Sequence, residues 1–131
     1  MIIVDSNTWA DFFNGVSSPW VARLDEALES EEDIAVLPII ITEVLQGFRS
    51  LRGFEQARVV LTALPIIQPD TTLYVGAARL FRTLRGKGVT VRGAVDCIIA
   101  ATCIELDALL LSPDSDFRQI AAHSALRLWS D

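Results

Sequence analysis

Asp5, Glu43, Asp96, Asp114 and Asp116 are the side chains whose types and settings fit chemistry. Asp5 follows the apolar run Met1-Ile2-Ile3-Val4, and Asp114 and Asp116 follow Leu109-Leu110-Leu111. Glu43 lies among Ile40, Ile41, Val44 and Leu45, and Asp96 just precedes Ile98-Ile99. If these acids converge they repel one another, by roughly 4 kcal/mol for two charges 4 Å apart at an effective dielectric near 20. Stability alone does not select such a cluster. A hard divalent ion such as Mg2+ or Mn2+ removes the repulsion, prefers oxygen ligands and keeps waters, one of which can be the nucleophile of phosphodiester hydrolysis. Each acid also has a plainer reading. Asp5, Ser6, Asn7 or Thr8 could cap a helix, Glu43 could be a solvated helical residue, and Asp96 could answer a helix dipole. From the first stretch alone the two readings of Asp5 weigh equally.

The elements that must position these acids alternate. Met1 to Val4, Ile34 to Leu37, Ala108 to Leu111 and Ala125 to Trp129 read as short buried strands, with Ile66-Ile67 as a further strand or an extended connector. Between them, Trp9 to Phe13, Trp20 to Glu29, Ile39 to Phe48, Phe54 to Leu64, Leu73 to Leu84, Ala94 to Leu106 and Arg118 to Ala122 carry helical spacing. Ser18 ahead of Pro19, and Asp70 or Thr71 ahead of Leu73, are helix starts, and Gly53 reads as an interruption. The third helix is expected to bring Glu43 in near its start, and the helix from Ala94 buries Val95, Ile98, Ile99, Thr102, Cys103 and Leu106. Strands alternating with helices, without hairpin turns, predict an α/β fold with a mostly parallel sheet of four to five strands covered on both faces. In such a sheet, strand ends and the helix starts that follow them share one edge, so the acids can meet there.

A chain of 131 residues with no linker or repeat is read as a single domain, 1–131. Apolar residues make up 51%, which leaves room for a partner as well as a core. No apolar run reaches a membrane span and no basic flank precedes the first strand, so no membrane role and a cytoplasmic setting are expected. Cys97 and Cys103, about 9 Å apart along one helix, cannot bridge each other. The single His123 stands without another histidine or cysteine near it, which disfavours zinc chemistry. Net charge is −6, against long-range attraction of nucleic acid, yet Arg79, Arg82, Arg85, Lys87 and Arg92 cluster within one stretch. That row is either an ordinary solvated face or a source of phosphate contacts.

Asp5-Ser6 after the first strand, Glu43 in the third helix, Asp96 followed by Ile98-Ile99-Ala100-Ala101, and Ser112-Pro113-Asp114-Ser115-Asp116-Phe117 together resemble the PIN-domain nucleases. Within them the chain is most similar to the small VapC-type toxins of toxin–antitoxin pairs, over its whole length. The resemblance implies a PIN-like fold and metal-dependent endoribonuclease activity. It also implies an acidic quartet of Asp5, Glu43, Asp96 and Asp114 that binds Mg2+ or Mn2+, with Asp116 as a further acid. Ser6 and Ser112 would support the site through hydrogen bonds. An RNA substrate, a cognate VapB-type antitoxin and a homodimer that assembles with it are implied in the same way, and Arg79, Arg82, Arg85, Lys87 and Arg92 would supply contacts to RNA.

Three other readings compete. A receiver-type domain needs a lysine at a late strand end, but the only lysine, Lys87, lies between helices. An aspartyl-phosphate phosphatase needs a second Asp two residues after the first, and position 7 is Asn. A non-catalytic PIN-fold protein that binds RNA or a protein has no reason to keep five mutually repelling carboxylates.

Overall fold

In a computed structural model covering residues 1–131, the elements run β1 (Ile2–Val4), α1 (Ser6–Phe13), α2 (Pro19–Glu29), β2 (Ile34–Ala35), α3 (Pro38–Leu45) and α4 (Leu51–Thr62). They continue as α5 (Thr71–Gly86), α6 (Ala94–Leu106), β3 (Leu109–Leu111), α7 (Ser115–Ala122) and β4 (Arg127–Leu128). The four strands form one parallel sheet in the order β2-β1-β3-β4. Consecutive strand residues point to opposite faces, and Ile2, Ile3 and Val4 are all buried, so both faces are covered. A core of aliphatic side chains from β1, β2 and β3 packs with Trp9, Leu24, Leu61, Leu84, Ile99 and Phe117.

Register fixes the working edge. Val4 pairs with Leu111, and the Asp5 amide donates to the Leu111 carbonyl at 3.1 Å, so β1 and β3 end side by side. From β1 the chain crosses to β2 on one side, while β3 lies on the other. Asp5 and Ser112 therefore emerge at the point where the strand order reverses, the usual ligand crevice of a parallel sheet.

Ser18 caps α2 ahead of Pro19, and Asp70, not Thr71, caps α5. Several boundaries differ from the sequence reading. The stretch Ile66-Ile67 contributes one parallel bridge, Val36 to Ile66, beside the four strands. The last strand is only Arg127–Leu128, with the Trp129 amide donating to Leu110 at 2.9 Å. Gly53 does not interrupt a helix; it sits in the first turn of α4, where its amide donates to Ser50 Oγ at 3.0 Å. A Cβ there would meet the Phe48 ring at 2.9 Å, so the missing side chain answers a close approach. Leu106, expected inside, is 39% exposed at the end of α6, where Asp107 turns into the left-handed region. Pro38 starts α3 with two residues between it and β2, the second of them the N-cap Leu37, and the helix ends at Leu45, which puts Glu43 in the second turn and not near the helix start.

Candidate metal centre

The first helix begins on its own site acid. Asp5 is the N-cap of α1: its Oδ1 accepts from the Ser6 amide at 2.7 Å, with Ser6 Oγ at 3.4 Å. Its Oδ2 accepts from Ser112 Oγ at 2.9 Å. The capping reading of Asp5 thus holds. Ser112, buried like Asp5, also accepts the Asp114 amide at 3.1 Å, so one hydroxyl joins the ends of β1 and β3. Asp114 repeats the device one loop later, capping α7 through the Asp116 amide at 2.9 Å. Asp96 lies in the first turn of α6 behind Gly93, which offers no capping side chain. The N-termini of α1, α6 and α7 carry partial positive charge that offsets part of the crowding.

Carboxylate oxygens of Asp96, Asp114 and Asp116 lie within 4.8 Å of one another. Asp5 and Glu43 stand outside this trio but close enough to act on it. Burial pushes the Asp96 carboxyl up, and Asp114, Asp5, Asp116 and Glu43 add to it, bringing it to about 6. Burial also raises Asp5, opposed by the Ser112 and Ser6 hydrogen bonds and reinforced by Asp114. Glu43 is raised by burial first and by Asp5 second, with Ser6 acting the other way. All five predicted acids are therefore brought together, from the end of β1, α3, α6 and the β3–α7 turn, with Ser6 hydrogen-bonded to Asp5 and near Glu43. The donor set is all oxygen and strongly anionic, which fits a hard divalent cation. The one ion pair these acids make is from Arg92 Nε to Asp116 Oδ2 at 3.7 Å, and that arginine is 87% exposed.

The predicted basic row divides. Arg79, Arg82 and Arg85 lie on the exposed side of α5, with Arg85 5.4 Å from the Phe81 ring centroid. Only Arg82 shares a groove with Arg92. Lys87 donates to the His123 carbonyl at 3.1 Å, so it ties the end of α5 to the end of α7. The sequence reading did not foresee the pairing of Arg92 with Asp116.

A parallel α/β sheet with a carboxylate cluster at its switch point defines a class of acidic-centre domains, and three of these carboxylates stand close enough to hold one cation. The PIN domain family model matches residues 2–123, and the chain belongs to that family. Among its relatives is a VapC ribonuclease of Mycobacterium bovis, 30% identical over 123 residues that span 92% of each chain. Ribonuclease VapC11 of Mycobacterium tuberculosis matches to the same extent. In structure the chain is similar to VapBC2 from Rickettsia felis, solved bound to a DNA fragment from its promoter, at TM-score 0.78, 20% identity and 98% of both chains. It is also similar to VapBC-1 from nontypeable Haemophilus influenzae, at TM-score 0.74, 18% identity, 99% of this chain and 98% of that one. These structural likenesses establish the fold.

Proposed function

We propose that the chain is a metal-dependent endoribonuclease, the toxin of a toxin–antitoxin pair, which hydrolyses RNA phosphodiester bonds at the Asp5–Glu43–Asp96–Asp114–Asp116 centre. The observation that carries this reading is the convergence of five carboxylates from four separate segments, tight enough to hold Asp96 up to about 6. The ribonuclease names of the 30%-identical relatives support it. Mg2+ or Mn2+ is the cofactor that suits the donor set; bound there, it would neutralise the cluster and lower the pKa of a coordinated water.

Asp5, Asp96, Asp114 and Asp116 hold the ion, directly or through water. Ser112 keeps Asp5 and the start of α7 in register for that task. Glu43, on a longer side chain and outside the tight trio, orients the attacking water and takes its proton, and burial followed by the Asp5 charge raises its carboxyl above the ordinary value. Exposed arginines bind phosphates around the cut. The partners in this reading are RNA and a cognate VapB-type antitoxin, with a homodimer as the assembled toxin.

The test is incubation of the native chain and the Asp5→Asn variant with a mixed RNA pool, with and without Mg2+. Cleavage by the native chain only when metal is present is the expected result, and equal cleavage by the variant refutes the reading. Glu43→Gln is expected to lower the rate by about 10²- to 10⁴-fold while Mn2+ binding measured by calorimetry persists. Loss of metal binding in that variant would make Glu43 a ligand instead.

A further inference from the structure

Beside the acidic centre lies a groove of about 530 Å³ between α5 and α6. That volume falls within the range of small-molecule sites, roughly 300–1,000 Å³. Tyr74 and Phe81 contribute aromatic rings to its lining, Ala78 and Ala94 leave it open, and Arg82 and Arg92 are the charged residues along it. No acidic side chain lines it, although the chain as a whole is at −6. The groove is continuous with the metal centre in two ways. Arg92 pairs with Asp116, and Ala94 and Cys97, which line the groove, flank Asp96 in the first turn of α6.

We propose that this groove is a nucleotide subsite, which takes one unstacked base of a single-stranded RNA next to the scissile phosphate. Unpaired bases are recognised by stacking on aromatic rings and guanidinium planes, with cations on the flanking phosphates. The groove supplies both, in the order the substrate presents them: carboxylates at the cut, Arg92 at the boundary, then apolar and aromatic walls with Arg82 among them. Tyr74 is 49% exposed, which leaves its ring free to meet a base. Arg92, held by Asp116 through one contact of 3.7 Å, can turn to a phosphate when a metal ion takes over the carboxylate. The subsite rests on the nuclease reading and adds a requirement to it: the substrate must be unpaired beside the cut.

The experiment uses the full chain with Mn2+ and short RNA oligonucleotides spanning a mapped cut, each carrying one abasic residue within two positions of it. For the native chain, one abasic position is expected to raise KM about tenfold or more. Ala78→Trp, which fills the groove, and Tyr74→Ala, which removes a stacking ring, should each raise KM on the intact oligonucleotide and lose sensitivity to that position. Mn2+ affinity and melting temperature should stay at the native values. Uniform tolerance of abasic residues by the native chain overturns the subsite, as does undiminished discrimination in both variants. Loss of self-association or of antitoxin binding in Ala78→Trp, with abasic sensitivity kept, also overturns it and assigns the groove to a protein partner. Absence of metal-dependent cleavage by the native chain would instead bring down the nuclease reading, and the subsite with it.

Discussion

Asp96 carries the electrostatic load of the centre, since four other carboxylates raise it on top of its burial. In the metal-free chain its folded pKa, about 6, lies above the usual 3.8, so the folded state holds this proton more tightly than the unfolded one. The stabilisation is fully present below pH 3.8 and is lost as pH rises through 6. Asp96→Asn should therefore stabilise the metal-free chain at pH 7–8, by on the order of 1–2 kcal/mol after solvent screening, and the gain should shrink towards nothing below pH 4. Thermal melts in a chelator across that range measure it, and a loss of stability at pH 8 would make Asp96 a structural cap. Ser112 fails in the opposite way. Ser112→Ala leaves the buried Asp5 carboxylate without its Oδ2 donor and the Asp114 amide without its acceptor. It should destabilise the chain by about 1–3 kcal/mol and reduce cleavage as well.

Among the elements, α4 offers a sharp test of packing. Replacing a helical glycine with alanine ordinarily stabilises by up to about 1 kcal/mol. At Gly53 a Cβ would press on Phe48, which in turn packs edge-on against Phe13 with ring centroids 6.0 Å apart. Gly53→Ala should bring no gain and a loss of about 1 kcal/mol by chemical denaturation. That glycine also shows where the sequence is opaque. Its spacing reads as a break because nothing local reveals that an aromatic ring from the preceding loop lies over it. The place of Glu43 within α3 differs for a related reason: the apolar stripe runs on to Phe48, but the helix stops at Leu45, so the glutamate falls in its second and last full turn. By contrast, β1 and β3 were legible because each is a pure apolar run closed by an acid, and the meeting of those acids followed from parallel pairing alone. The groove between α5 and α6 was not legible, since α5 and α6 are joined by a loop whose path no periodicity encodes.

At the scale of the whole molecule the charge is uneven. The acids from Asp25 to Asp33 form the end of α2 and the loop after it, while α5 presents Arg79, Arg82 and Arg85 on its exposed side. RNA binding should weaken as salt increases despite the net charge of −6, because only the local cations are neutralised on contact. Arg82→Ala should lower the slope of log affinity against log salt by about 0.7, the share of one phosphate on a single strand, in fluorescence anisotropy titrations. Substituting Glu55 or Arg58, which pair with each other on α4, should leave that slope unchanged.

The double duty of Asp5 bears on how such a chain is lost. An asparagine at that position still offers its one oxygen to the Ser6 amide and remains a favoured first residue for a helix, while Ser112 Oγ loses the second carboxylate oxygen to which it donates. In the proposed nuclease, the step from an active chain to an inactive one is then a single substitution that keeps this helix start. The inactive copy would keep its outer surface and go on titrating the antitoxin proposed above. Such a copy would be a decoy, separated from the active chain by one oxygen exchanged for an amide nitrogen.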